Sequence, residues 1–281
     1  MITRLNGSLG RLGKSAGVAV DDAAAIIAAM DVTPDAARQT LITQTVTALK
    51  DAGIWEQLDA LWVMAAHHEQ AGRLNWKSPA TFTLSAQGVI AFTADQGWQG
   101  NGASGYMNTG WIPSTNGANY ELNNASFGFY SRTDISAPAP RDMGCRQSAA
   151  LDRLTHLAIN SEESGFGVRH SAHLHMNATI GRAVAGLPTN SLGLFVARRT
   201  ASNALQIYIN GIQRATGSTA SSSLPSFPFF IAARNTAGTP DGFVARQYAL
   251  AFAAAAMSEA EQLAFYNIFQ DGYLSAIGAA V

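Results

Sequence analysis

A single cysteine, Cys145, in 281 residues excludes an intrachain disulfide and any metal site built from several thiolates. Charge is scarce as well. Asp, Glu, Lys and Arg supply 13% of the chain, against ~25% in an average soluble protein, and the formal net charge is −1. Such a balance gives no electrostatic footprint for nucleic acid or for an anionic membrane surface. No run approaches the ~18 to 20 apolar residues that a membrane-spanning helix needs, so the sequence predicts a soluble chain with no membrane span. Arg4, Arg11 and Lys14 precede an apolar run, but Asp21-Asp22 break it and no small-residue cleavage site follows. No signal peptide is expected.

What is plentiful is apolar and small: 47% of residues are hydrophobic, and Gly, Ala, Ser, Thr and Asn punctuate them, which argues against disorder and for a sizeable core. Asn203 to Arg214 gives the clearest local signal. Leu205, Ile207 and Ile209 alternate with Gln206, Tyr208 and Asn210, the period of a strand with one buried and one wetter face. Asn210-Gly211 then supplies the two positive-φ residues of a type I′ hairpin turn. Short strand candidates of the same kind recur at 81–84, 88–93, 106–112, 126–132, 157–160, 165–170, 172–177, 192–198, 212–215, 229–233 and 247–252. This density of strands and turns predicts an antiparallel sandwich or barrel.

Helices are expected only at the ends. Asp21 or Asp22 caps a short Ala-rich helix through Met30, and Thr33-Pro34 starts a second, with Leu41, Ile42, Thr45, Val46 and Leu49 at helical spacing and Gly53 as its stop. That apolar stripe must pack on the next domain, on a second copy or on another protein. Residues 1–20 read as an extended arm or a frayed terminus. The segment Leu58 to Ala66 is a buried strand or a buried helix, which periodicity does not decide. Ser258 and Glu261 form a capping box ahead of Leu263, Phe265, Tyr266, Ile268 and Phe269. Two parts follow: 1–53, an N-terminal arm and helical anchoring or oligomerisation segment, and 54–281, the β-domain.

The order of pieces from about residue 75 onward carries a resemblance. Phe-Thr-Ala-Asp-Gln-Gly-Trp-Gln-Gly-Asn-Gly at 92–102, Leu-x-Ile-Tyr-Ile-Asn-Gly at 205–211, Phe-Phe-Ile-Ala-Ala-Arg-Asn at 229–235 and a closing strand running into Ser-x-x-Glu follow one another. This series resembles the concanavalin A-like lectin/glucanase superfamily in its laminin-G-like branch. The resemblance implies a jelly-roll sandwich of two antiparallel sheets and is poorly specific for function. Residues 61–76, with Ala-Ala-His-His-Glu-Gln-Ala, together with 92–102 also look like proteins encoded in bacteriophage and prophage genomes. That likeness implies a virion protein assembled in the bacterial host cytoplasm, attached to other virion structural proteins through its N-terminal segment and forming a homo-oligomer. The tail fibre, baseplate and capsid decoration are the settings it suggests.

The chemistry expected is binding rather than catalysis. The Glu-x-Asp-x-x-Glu arrangement of laminarinase-like members is absent, and Asp95, Asp134, Asp142, Asp152 and Asp241 stand singly in predicted turns. Gly100 to Gly105 matches G-x-G-x-x-G without the helix that pyrophosphate binding needs. His173 and His175 read as an exposed polar strand face rather than a metal site, since no carboxylate or cysteine is spaced to complete coordination. Calcium, which many relatives bind, lacks convergent oxygen ligands. No cofactor and no metal are expected.

A glycan site is the functional candidate. Trp98, Tyr106, Trp111 and Tyr120 lie in or beside Gly/Asn-rich loops, where a ring could stack on a pyranose while Asn101, Asn108 or Arg132 bonds its hydroxyls. The competing reading puts Trp98 and Trp111 in the core. The sequence thus points to a non-enzymatic virion structural protein displaying a sandwich for adhesion to a host cell-surface glycan. A stand-alone lectin module and a divergent glycoside hydrolase are the alternatives.

Overall fold

The computed structural model describes residues 21–148, 153–163, 167–177, 183–185 and 190–281, so the arm at 1–20 and Asp152 lie outside the described residues. The protein is mainly β, two sheets face to face, with helices near both ends. The first sheet runs Ile212–Gly217, Ala204–Ile209, Gly193–Ala201, Ala125–Ser131, Gln247–Ala254, Gly97–Gly100 and Ile90–Thr93, and Leu58–Val63 also pairs with Gln247–Ala254. The second runs Ala183–Ala185, Gly167–Met176, Leu154–Glu163, Met143–Arg146, Phe230–Ile231, Tyr106–Asn108 and Ser85–Gln87. Arg234–Thr236 continues the second sheet beside Met143–Arg146 in a parallel sense and forms a hairpin with Thr239–Asp241.

Two cores result. Between the sheets lie Phe127, Phe129, Phe195, Ile207, Ile209, Leu174 and Phe229. On the outer face of the first sheet, Tyr130, Leu194, Val196, Tyr208, Leu250 and Phe252 are covered by Ile42, Val46 and Leu49 of the helix Ala36–Asp51 and by Phe265, Phe269 and Tyr273 of the C-terminal helical region. Tyr208, expected on a wetter face, is therefore buried. The stripe on Ala36–Asp51 is used within the chain, where each fully buried aliphatic side chain contributes roughly 1.5–3 kcal/mol.

This double covering explains Leu58 to Ala66. The segment is the strand Leu58–Val63, paired in register from Leu61↔Phe252 to Val63↔Leu250, and it lacks alternation because both of its faces are buried. The hairpin at 203–214 forms as read: Asn210 and Gly211 take φ of 52° and 75°, and a Cβ on Gly211 would sit 2.7 Å from the Leu263 Cα, so the turn is pressed against the C-terminal helix. The capping box at Ser258 and Glu261 is present.

Several local expectations are corrected. Asp35, not Thr33, caps the second helix, its carboxylate accepting from the Arg38 amide at 2.7 Å, because a charged acceptor one turn ahead outcompetes the hydroxyl. Residues 81–84 are irregular, with Phe82 at φ 55° and its carbonyl taking the Trp62 indole N–H at 2.7 Å. The candidates at 165–170 and 172–177 are one strand, Gly167–Met176, with register shifts inside it. Asp142 is no turn residue. It is fully buried and ion-paired to Arg246, and it also accepts from the Tyr248 hydroxyl at 2.9 Å and from the Ile159 amide at 2.8 Å, joining the two sheets. Burial by itself would lower the Arg246 pKa, and the Asp142 carboxylate reverses this and leaves it raised.

Candidate functional site

The helices Ala36–Asp51 and Glu259–Asn267 pack on the outer face of the first sheet and not on the second. Sheet pairing fixes which residues the outer face of the second sheet carries. Ala86, Met107, Ile231, Met143, Leu157 and Ala172 are consecutive cross-strand partners, and all six belong to the core or pack against it. Side chains alternate along each strand, so the adjoining row of partners points outward. That row is Ser85, Asn108, Phe230, Gly144, His156 and His173. Gly144 is required there: at φ 145°, a Cβ would lie 2.1 Å from the Thr155 carbonyl oxygen.

One end of the row is aromatic and amide-rich. Tyr106, opposite Gln87, shares the face with Asn108 and is half-buried; its ring lies 4.4 Å from that of Phe230 beneath it and 6.2 Å from that of Phe243. Partial burial raises the Tyr106 pKa, keeping the phenol a neutral donor and acceptor. The Asn108 Oδ1 accepts from the Gly110 amide at 2.9 Å, which fixes the side chain and turns its NH2 group to other acceptors. Gln87 donates to the Ser85 hydroxyl at 2.8 Å. A ring face, an amide donor, an amide carbonyl and two hydroxyls therefore converge on one patch.

The other end is cationic. Arg146, two residues beyond Gly144, bonds Thr236 at 2.9 Å and reaches Asp241 at 3.4 Å, while Arg234 grips Asp241 through Nε at 3.0 Å and Nη2 at 2.6 Å. Arg234 also approaches the His156 Nδ1 at 3.4 Å, and the His156 and His173 rings stack at 4.4 Å. Burial, then His173 and the three arginines 141, 234 and 146, hold the His156 pKa well below its ordinary value, so this imidazole is neutral. His173 and His175 are buried, as His156 is, which corrects the expectation of an exposed polar face at 173 and 175. His175 turns away at φ 57° and bonds the Tyr120 hydroxyl and the Leu122 carbonyl, each at 2.8 Å.

The six residues singled out from the sequence are not one site. Trp98 is 2% exposed, packed against Phe92 and beneath the Arg73 guanidinium, and Trp111 is wholly buried against Tyr120 and Phe229, so neither indole has a face for a sugar. Asn101 organises the loop after Gly100, its Oδ1 accepting from the amides of Ala103, Ser104 and Gly105 at 2.9–3.0 Å. Arg132 clamps the C-terminal segment by donating to the Ala279 carbonyl at 2.6 Å and to Gln247 at 2.8 Å. Tyr106 and Asn108 alone share the open face. Arg141, Arg146, Arg234 and Asp241 gave no signal as a cluster in sequence, since a hundred residues separate Arg141 from Asp241.

No protein-family model matches the chain, and no curated protein is significantly similar to it. Among solved structures, Trypanosoma rangeli sialidase in complex with sialic acid superposes with a TM-score of 0.54 at 13% identity, over 83% of this chain and 39% of the sialidase. The same enzyme in complex with 2,3-difluoro-KDN gives 0.53 at 11% identity, over 84% and 40%. Domain 4 of AbnA, a GH43 extracellular arabinanase from Geobacillus stearothermophilus, gives 0.46 at 11% identity over 75% of this chain and 98% of that domain. The chain spans about two fifths of the sialidase's length, and the likeness is one of fold.

Proposed function

We propose that this chain is a carbohydrate-binding β-sandwich whose ligand face is the outer face of the second sheet, centred on Tyr106 and Asn108. The observation that carries this reading is the convergence of a half-exposed ring over Phe230 with the uncommitted amide of Asn108 and the polar groups of Ser85 and Gln87. Stacking on a pyranose with amide bonds to its hydroxyls needs that combination. The sialidase of the same fold was solved with sialic acid bound, which makes saccharides the first ligands to test.

Binding without cleavage fits the carboxylates. Asp59 is taken by the amides of Ala118, Asn119 and Tyr120, Asp95 by Arg38, Asp134 by Ser191, Asp142 by Arg246 and Asp241 by Arg234. Each of these is committed to structure, whereas the two-carboxylate route of most glycoside hydrolases needs a cooperating pair. A glycan array probed with wild type and Tyr106→Ala tests the reading. Binding that disappears in a variant of unchanged melting temperature supports it, and no binding to any saccharide, or binding indifferent to the substitution, overturns it.

The setting we propose is a bacteriophage virion, and it rests on the sequence likeness of 61–76 and 92–102. Because Ala36–Asp51 is part of the second core, attachment and self-assembly are assigned to residues 1–20. Deleting 1–20 and assaying incorporation into particles checks this: normal incorporation contradicts it.

A further inference from the structure

The arginine cluster beside the proposed glycan face is out of electrostatic balance. Arg141, Arg146 and Arg234 surround the single carboxylate of Asp241, and that carboxylate is committed to Arg234 in a two-point grip, to Thr236 at 3.0 Å and to Arg146 at 3.4 Å. Arg141 has no acidic partner among the described residues. Its one side-chain hydrogen bond is from Nη1 to the Pro140 carbonyl at 2.7 Å, and its buried Nε is without an acceptor. Burial, then Arg234, lowers the Arg141 pKa to about 10, and the same two causes lower that of Arg146. His156 beneath them is neutral and supplies no negative charge.

A desolvated guanidinium beside two others is costly to fold unless something anionic meets it. A structural role would place a carboxylate on Arg141, as Asp142 is placed on Arg246 elsewhere in the same protein. Here Asp241 and Asp142 offset the Arg141 charge only from a distance, no carboxylate is ion-paired to it among the described residues, and Arg141 and Arg146 both retain partial exposure. The cluster is also continuous with the aromatic end of the face. Arg141 donates its amide to the Gly242 carbonyl at 2.8 Å, its side chain lies where a Cβ on Gly242 would be, 2.4 Å from Cγ, and the next residue, Phe243, flanks Tyr106.

We propose that Arg141 and Arg146 form a subsite for the carboxylate of an acidic sugar whose ring lies toward Tyr106, so that the face selects uronic-acid-type saccharides over neutral ones. The inference rests on the carbohydrate-binding reading above. A carboxylate suits the site because the fork of Arg234 already shows the geometry, with two nitrogens on two oxygens of Asp241. Charge-assisted bonds of this kind discriminate by about ten- to a hundredfold.

The test is calorimetric titration of the full chain with oligogalacturonate, with its fully methyl-esterified counterpart and with inorganic sulfate. The expected result is at least tenfold tighter binding of the acid than of the ester, a preference lost in Arg141→Gln and Arg146→Gln while ester affinity is unchanged. Arg141→Gln should also melt no lower than wild type, because it removes an unpaired buried charge. Equal affinity for acid and ester, both lost in Tyr106→Ala, would overturn the acidic subsite and leave the glycan face standing. Failure of both saccharides to bind would remove the glycan face and the subsite together. Sulfate competing as strongly as the acidic saccharide would make the cluster a general anion site and overturn its assignment to a sugar.

Discussion

His175 makes acid sensitivity a calculable property of this fold. Its ring is fully buried, with Nδ1 2.8 Å from the Leu122 carbonyl and Nε2 2.8 Å from the Tyr120 hydroxyl. A carbonyl only accepts, so Nδ1 carries the proton and Nε2 accepts from Tyr120. Burial lowers the pKa from 6.5 to about 3, against a partial rise from the Leu122 carbonyl. Above pH 6.5 the ring is neutral in both the folded and the unfolded chain, and the contribution is intact. Between about 6.5 and 3 the unfolded chain binds a proton that the folded one does not, so stability falls with falling pH by about 1.4 kcal/mol per unit. From pH 6.5 to about 4.5 the loss is roughly 2.7 kcal/mol from this residue alone. His156, also held neutral by burial, acts in the same direction. Urea unfolding at several pH values, for wild type and His175→Gln, reads the effect. The variant is less stable at pH 7 because it loses the Tyr120 and Leu122 bonds, yet its stability should decline less steeply on acidification, by about 1.4 kcal/mol per pH unit. Parallel curves for the two proteins would refute the reasoning.

Asp142→Ala strands the buried Arg246 cation and should cost about 3–5 kcal/mol in urea unfolding, whereas Asp142→Leu combined with Arg246→Met should recover much of it. Trp111→Ala empties the core between Tyr120 and Phe229 and should cost about 3–5 kcal/mol, with saccharide affinity per folded molecule unchanged by titration. Ser258→Ala removes the side-chain half of the capping box, the hydroxyl that accepts from the Glu261 amide, and should cost about 1 kcal/mol in a thermal melt, with no effect on binding.

Legibility in the sequence followed the range of the interactions. The hairpin at 203–214 and the capping box at Ser258 were readable because a turn dipeptide or an i,i+3 pair determines them locally. The hairpin's outward residues were misjudged for a non-local reason: Tyr208 meets helices that begin 170 residues earlier and 50 residues later. Leu58–Val63 was undecidable for the same cause, since a strand covered on both faces loses its alternation. Asp142 read as a turn residue because its partners, Arg246 and Tyr248, lie a hundred residues away. The candidate site suffered most. Tyr106 and Asn108 were visible as an aromatic and an amide near loops, but their company on one face is fixed by a ladder of five pairings, and only that ladder separates them from Trp98, Trp111, Asn101 and Arg132. Even the core/surface choice for the two tryptophans turned on sheet stacking, which no local pattern encodes.

Saccharides are proposed to bind the outer face of the second sheet and not the loops around Asn101 or the clamp at Arg132. Calorimetric titration of one saccharide, taken from the array, into wild type, Tyr106→Ala, Asn108→Ala, Asn101→Ala and Arg132→Gln tests it most directly. A tenfold or greater loss of affinity is expected in the first two variants and wild-type affinity in the last two. Affinity kept in Tyr106→Ala and Asn108→Ala but lost in Asn101→Ala or Arg132→Gln would contradict it.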